Sequence, residues 1–358
     1  MDETINRRLT RKVMVGDVPI GGGEPIPVQS MTTTKTHDLS ATLKEVERLE
    51  ESGCQIIRIT VPDKKAAKVL SEIKKRMSVP LVADIHFNYR MALAAVDAGA
   101  DKIRINPGNI GGEERVKEVL TKVKGANLPI RIGVNAGSLE ENIIEKYGYP
   151  TPEAMVESAA RHIRICSEHN FDDIIVSLKA SNVNLMVASY RLFVEQFDYP
   201  LHLGVTEAGP TRSGSIKSAL GIGALLLEGI GDTIRVSLTD DPVEEVHVGY
   251  EILKSLGLAS RGATIIACPT CGRLEVDLVK IAKDMEEELK NVETPISIAL
   301  MGCAVNGPGE AKQTDLGIAF GNNAGHLYYK GENLGKVKES DAMDSLKELI
   351  RRYKEEQI

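Results

Sequence analysis

Three cysteines and one glutamate near the C-terminus have types and a spacing that suit metal: Cys268-Pro-Thr-Cys271, then Gly302-Cys303, then Glu310 at the end of Asn306-Gly-Pro-Gly-Glu310. Three soft thiolates with one hard carboxylate would leave one metal ion less firmly held than the rest, and able to meet a substrate. The expectation is an iron-sulfur site built for chemistry. Cys-x-x-Cys also opens structural zinc ribbons and dithiol redox motifs. A ribbon wants a second close pair, and only one further thiol is at hand. A dithiol motif usually opens a helix after a strand; Ala263-Thr-Ile-Ile-Ala-Cys268 reads as a strand, but proline follows it. Spacing alone leaves all three open. Cys54 and Cys166 lie in apolar contexts and read as buried small hydrophobes.

With 358 residues, 42% hydrophobic and 27% charged, the chain can bury a large core and reads as two domains. A net charge of -7 and 4% aromatics without tryptophan argue against a nucleic-acid partner. The opening Met1-Asp-Glu-Thr-Ile-Asn-Arg-Arg8 has no apolar signal core, and the richest apolar run, Ala219 to Ile230, is cut by glycines and Glu228. No membrane partner is expected. Thiols of this kind persist in a reducing compartment, so the expected location is cytoplasmic.

Residues 1–258 alternate β-rich runs with amphipathic helical stretches. The strand candidates are Ile26–Met31, Gln55–Val61, Leu81–His86, Lys102–Asn106, Pro129–Ala136, Asp173–Lys179, Leu201–Glu207 and Thr233–Thr239. Helical periodicity marks Ala41–Glu50, Lys64–Met77, Tyr89–Asp97, Leu185–Gln196 and Val243–Leu256, several followed by glycine. Eight such units predict an α/β fold, a (β/α)8 TIM barrel, followed over 259–358 by a smaller α+β iron-sulfur domain. A doubly wound open sheet is the runner-up.

Four strands share one phrase: Ile57-Arg58-Ile59, Ile103-Arg104-Ile105, Ile130-Arg131-Ile132 and Ile234-Arg235-Val236. Because side chains alternate along a strand, the β-branched flanks would face the helices and the arginines the barrel interior. The same parity sends Asp84, His86, Asn106, Asn135, Ser177, Lys179, Glu207 and Ser237 inward, toward the C-terminal mouth where barrel active sites are built. Arg58, Arg104, Arg131, Arg235 and Lys179 face only Asp84 and Glu207, and buried unpaired charge costs several kcal/mol, so an anionic ligand is implied. Guanidinium groups match phosphate oxygens. Gly209-Pro-Thr-Arg-Ser-Gly214-Ser215 could offer backbone N-H groups to a phosphate. The competing reading makes each arginine a structural ion pair.

Together, Cys268-Pro-Thr-Cys271-Gly, Met301-Gly-Cys303-Ala-Val-Asn-Gly-Pro-Gly-Glu310, Gln29-Ser-Met-Thr-Thr-Thr34, Ala83-Asp-Ile-His86, Ile132-Gly-Val-Asn135-Ala-Gly-Ser-Leu and Val205-Thr-Glu207-Ala-Gly closely resemble the bacterial 4-hydroxy-3-methylbut-2-enyl diphosphate synthases of the methylerythritol phosphate route to isoprenoids. The resemblance runs over nearly the whole chain. It implies a barrel followed by a domain with a 4Fe-4S cluster held by Cys268, Cys271, Cys303 and Glu310. It implies the substrate 2-C-methyl-D-erythritol 2,4-cyclodiphosphate, with Arg58, Arg104, Arg131 and Lys179 as diphosphate-binding residues. Asn135, Ser237, Asp84 and His86 match further pocket positions. Glu207 matches a carboxylate near the reacting carbons, with the expected role of proton donor to the hydroxyl that leaves as water.

Two electrons would arrive from flavodoxin or ferredoxin. The chain after the eighth helix allows only about 25 Å before the last domain begins, which predicts a homodimer whose active site is shared between subunits. The competing functions are a pterin-binding barrel transferase and a module stapled by structural zinc.

Overall fold

The computed structural model describes residues 5–86, 88–105, 113–290, 292–321 and 324–357. It divides into two compact units, Met1–Ala259 and Ser260–Ile358. In the first, a hairpin of β1 (Val13–Val15) and β2 (Val18–Ile20) precedes a six-stranded parallel sheet in the order β3 (Gln29–Met31), β4 (Ile56–Thr60), β5 (Leu81–Ile85), β6 (Lys102–Ile105), β7 (Ile130–Asn135) and β8 (Ile174–Lys179). β9 (His202–Leu203) and β10 (Thr233–Ile234) form a parallel pair. Single parallel bridges join the two sheets at both ends, Val176 to Leu201 and Val28 to Ile234. Each of these strands therefore has a neighbour on either side, as in a barrel.

Helices alternate with the strands: α1 (Leu39–Glu51), α2 (Lys64–Lys74), α3 (Tyr89–Asp97), α4 (Glu113–Gly125), α5 (Glu141–Tyr147), α6 (Pro152–Glu168), α7 (Val183–Val194), α8 (Thr211–Leu227) and α9 (Pro242–Ser255). Side chains of Asp38, Asp63, Asn88, Thr151, Asn182 and Asp241 cap α1, α2, α3, α6, α7 and α9 by accepting from first-turn N-H groups. Ile57, Ile59, Ile103, Ile130, Ile132 and Ile234 are fully buried in one core with Leu49, Leu70, Ile73, Val119 and Phe193 from the helices. That packing turns the intervening strand residues toward the barrel axis.

The hairpin plugs the barrel from below. Val13, Val15 and Ile20 pack with Ile56, Val82 and Ile175, a cluster separate from the strand-helix core. Its turn at Gly16-Asp17 sits between short alternating runs, and Gly16 adopts φ 58°.

Two expected strands end early. Instead of running to Glu207 and Thr239, β9 and β10 stop at Leu203 and Ile234. At Gly204 the chains crowd so closely that a Cβ would lie 2.4 Å from the Arg235 carbonyl oxygen. Beyond it Glu207 turns with φ 53°, while the Leu238 N-H donates to Glu245 Oε1 on α9 instead of a neighbouring strand.

The second unit is a mixed five-stranded sheet, β11 (Ala263–Ala267), β12 (Ile296–Met301), β13 (Leu316–Gly321), β14 (Ala324–Tyr329) and β15 (Glu332–Val337). The first three strands are parallel and the last two antiparallel. α10 (Leu278–Leu289) and α12 (Ala342–Glu355) supply Leu278, Met285, Leu346 and Ile350 to its core against Ile298, Ile318 and Phe320. The short α11 (Gly307–Ala311) follows β12. Among the described residues, no helix is long and apolar enough to cross a membrane.

Because the plug fills the barrel floor with few alternatives for repacking, Ile20→Ala should cost about 3 kcal/mol in urea unfolding, with an unchanged denaturant slope. A loss below about 0.5 kcal/mol would contradict the plug's role.

Candidate functional site

The inward side chains of β4, β5, β6, β7 and β8 build a polar layer inside the barrel. Asp84 is its pivot: Arg58 Nη2 donates to Oδ2 at 2.7 Å and Arg104 Nη1 to Oδ1 at 3.1 Å. His86 Nε2 lies 3.5 Å from Oδ2. Burial would raise the Asp84 carboxyl, but the Arg58 and Arg104 guanidinium groups overrule it and hold the carboxyl well below the ordinary range. Asp84 is thus a fixed anion with both oxygens engaged.

Arg131 and Lys179 have no such partner. Arg131 is 1% exposed, and the only side-chain hydrogen bond it makes among the described residues is from Nη1 to Ser177 Oγ at 2.6 Å. Burial, then the guanidinium groups of Arg58 and Arg104, weighs against its charge, yet arginine keeps its proton. Lys179 is also buried, and burial followed by Arg131, Arg235, Arg58 and Arg104 lowers its proton affinity well below the ordinary value.

Two glycines make this crowding possible. At Gly133 a Cβ would lie 2.8 Å from Arg104 Nε, and at Gly204 one would lie 2.7 Å from Lys179 Nζ. Any larger residue would have to push a cation aside. Asn135, turned so that its oxygen faces the guanidinium, accepts from Arg104 Nη2 at 3.3 Å.

Arg235 is engaged differently. It pairs in a bidentate way with Glu245 on α9, Nε and Nη2 donating at 3.1 and 3.0 Å. Glu245 also accepts from Ser30 Oγ, so this arginine fastens β10 to β3 through the helix. Glu245 is an acid that strand parity could not reveal, since it comes from an outer helix. Ser237 is half-buried and Glu207 exposed. Glu207 holds a left-handed backbone that usually costs a non-glycine residue of order 1 kcal/mol. Asn106 lies outside the described residues. The same parity also places Lys102, Gln29 and His202 inside, all three buried. The phrase Lys102-Ile103-Arg104-Ile105 carried that signal for Lys102.

The Gly209–Ser215 stretch opens α8, whose N-cap position is Pro210 with no side-chain acceptor on the first turn. Its amides stay available to an anion.

In the second unit the parallel register Ala267 to Leu300 carries Cys268 and Gly302-Cys303 off the same ends of β11 and β12. The Gly302 N-H donates to Cys268 Sγ at 3.3 Å, and the Glu275 N-H donates to the Gly302 carbonyl at 3.1 Å, which ties the Cys271 loop back to β12. At Gly302 a Cβ would meet Leu274 Cδ2 at 2.2 Å, so a larger residue here would have to displace the Leu274 side chain. Glu310 follows on α11 and is exposed, as is Cys271. All three thiols are free. Among the described residues, no three of these or other His, Cys, Asp or Glu side chains are drawn into a metal-ready group. The donor set nevertheless fits a metal that prefers sulfur with one oxygen ligand. Cys54 and Cys166 are buried, and burial pushes both thiols up to about 12, which leaves them inert.

Residues 10–250 match the family described as GcpE TIM-barrel domain, and residues 264–352 the GcpE protein C-terminal domain. The chain is 57% identical to the 4-hydroxy-3-methylbut-2-en-1-yl diphosphate synthase (flavodoxin) of Shouchella clausii over 99% of this chain and 97% of that one. It is also 57% identical to the protein of that name from Listeria monocytogenes serovar 1/2a, over 98% and 95%. Among solved structures, Plasmodium falciparum HPPK-DHPS aligns with a TM-score of 0.50 at 12% identity, over 69% of this chain and 49% of that one. Such low identity speaks for the barrel fold alone.

A carboxyl whose folded pKa is depressed stabilises the protein above its unfolded value, and that stability is lost as pH falls through the folded one. The melting temperature of the parent should therefore drop below about pH 4. Asp84→Asn should start lower at pH 7 and lose less on acidification; parallel profiles would contradict the ion-paired assignment.

Proposed function

The chain belongs to the GcpE family of 4-hydroxy-3-methylbut-2-en-1-yl diphosphate synthases, and on that premise we propose how its own residues divide the work. It is a flavodoxin-dependent oxidoreductase that opens 2-C-methyl-D-erythritol 2,4-cyclodiphosphate reductively to the allylic alcohol diphosphate. The pterin-transferase alternative rests on distant fold likeness only.

Arg131 carries the reading for the barrel: a buried guanidinium with no carboxylate against it among the described residues favours an anionic ligand. Arg131 and Lys179 take the diphosphate, and Arg58 and Arg104, braced on Asp84, line its other side. Ser177 orients Arg131. Asn135, Asn106, His86 and Ser237 complete the pocket with neutral or weakly charged contacts, and Arg235 supports it through Glu245. Glu207, displayed on its left-handed turn, gives the proton to the hydroxyl that departs as water.

Cys268, Cys271, Cys303 and Glu310 would hold a 4Fe-4S cluster in the reducing cytoplasm. When bound, such a cluster supplies the two electrons one at a time. The oxygen of Glu310 would grip iron less firmly than the thiolates, which would suit a carboxylate to this position. The active site is shared in a homodimer, one subunit's barrel being served by the partner's second domain. Residues 256–262, between α9 and β11, span about 25 Å fully extended, which supports service by the partner.

Arg131→Ala should lower kcat/KM about a hundredfold, about 2.7 kcal/mol, mainly through KM. Parental kinetics would overturn the pocket assignment. Glu310→Cys should keep a coloured cluster but lose most turnover, whereas full activity would refute its role. Mixing Arg131→Ala with Cys303→Ser subunits should restore activity, and an inert mixture with proven subunit exchange would exclude the shared site.

A further inference from the structure

Lys102, two residues before Arg104 on β6, lies about 7 Å deeper in the barrel by strand rise. It is fully buried, and its Nζ has no hydrogen-bonding partner among the described residues. Gln29 and His202 share this inner layer. Ser30 turns its hydroxyl outward to Glu245, which faces Gln29 inward, and Leu201 and Leu203 sit in the strand-helix core, which faces His202 inward. Both amide atoms of Gln29 and both ring nitrogens of His202 are also without partners among the described residues. The apolar plug of Val13, Val15 and Ile20 closes the floor.

The charged groups facing Lys102 are cationic: Arg131 from β7 and Arg58 from β4, with His202 of β9 within the same field. On the remaining inward strands, Asp84 of β5 spends both oxygens on Arg58 and Arg104, and Lys179 of β8, whose own proton affinity burial and the arginines lower, brings no acid. A lone buried ammonium costs several kcal/mol, and a neutral amine among polar groups costs far less. Burial first, then Arg131 and Arg58, pushes the proton affinity of Lys102 well down. In the ligand-free barrel the buried, unpartnered Nζ therefore favours the amine over the ammonium form.

We propose that substrate capture is proton-linked through Lys102: when the diphosphate settles among Arg131 and Lys179, the amine takes a proton from solvent and becomes an ammonium ion. This rests on the assignment of the diphosphate to that layer. The only bond formed is N-H, and water or buffer supplies the proton. Each phosphorus of a cyclic diphosphate carries one ester and one anhydride link and keeps one strongly acidic hydroxyl, so the ligand arrives as a dianion that does not titrate near neutrality. Any proton taken up belongs to the protein. By linkage, binding that consumes a proton weakens as pH rises, by at most about tenfold per unit, and loses this dependence at low pH, where Lys102 is already protonated.

The test is calorimetric titration of the cluster-bearing, oxidised enzyme with the cyclic diphosphate, without electron donor, in buffers of different ionisation enthalpy. The parent should take up about one proton per ligand, and Lys102→Met close to none with a flat affinity-pH profile. Lys102→Gln serves should the methionine variant fail to fold. Binding without proton uptake in the parent overturns the proposal and leaves the diphosphate site standing. Unchanged uptake in the variants overturns it in favour of another acceptor, Lys179 or His202. Absence of binding by the parent refutes the diphosphate assignment and the proposal together.

Discussion

An excess of buried positive charge over buried carboxylate governs the barrel domain. Asp84 neutralises part of it by gripping Arg58 and Arg104, and Glu245 neutralises Arg235. Arg131 is left without an acid against it among the described residues, and so are the amino groups of Lys179 and Lys102, whose proton affinity burial and the arginines lower. Such a layer is expensive to fold, and the architecture shows how the expense is tolerated. A strand-helix core of isoleucine, valine and leucine surrounds it, an apolar hairpin seals it from below, and Gly133 and Gly204 leave the volume it needs. Stability given up at such a site is regained by the ligand that satisfies it.

The second unit separates two demands in the same spirit. A conventional core of α10 and α12 on a mixed sheet provides rigidity, and the reactive thiols are confined to loops at the ends of β11 and β12. Gly302 permits the tight closure that carries Cys303, and the Gly302 N-H already bonds to Cys268. Backbone hydrogen bonds thus set the approach of the cysteine loops, and the exposed Cys271 and Glu310 can adjust to what they hold.

Much of this was legible in the chain. The repeated Ile-Arg-Ile phrase carried both the parity of the strands and the charge of the interior, because alternation is a steric property of any strand. All eight strand positions could be found for the same reason. Less legible were features that depend on partners distant in sequence. The fate of Arg235 is decided by Glu245, which belongs to an outer helix and gives no periodic sign of its contact. The early ends of β9 and β10 follow from crowding at Gly204, which only three-dimensional packing creates. The β1–β2 plug is short and weakly patterned, and its purpose is visible only once the barrel floor exists. Lys102 obeyed the parity rule, but the lack of a partner for its Nζ among the described residues could not be read from one strand.

The most direct measurement of the charge argument is a crystal structure of the oxidised enzyme with the cyclic diphosphate bound. The account expects phosphate oxygens within hydrogen-bonding distance, about 2.7–3.0 Å, of both Arg131 and Lys179, with the Asp84 ion pairs intact. A ligand seated elsewhere, with Arg131 still bonded only to Ser177, would contradict it.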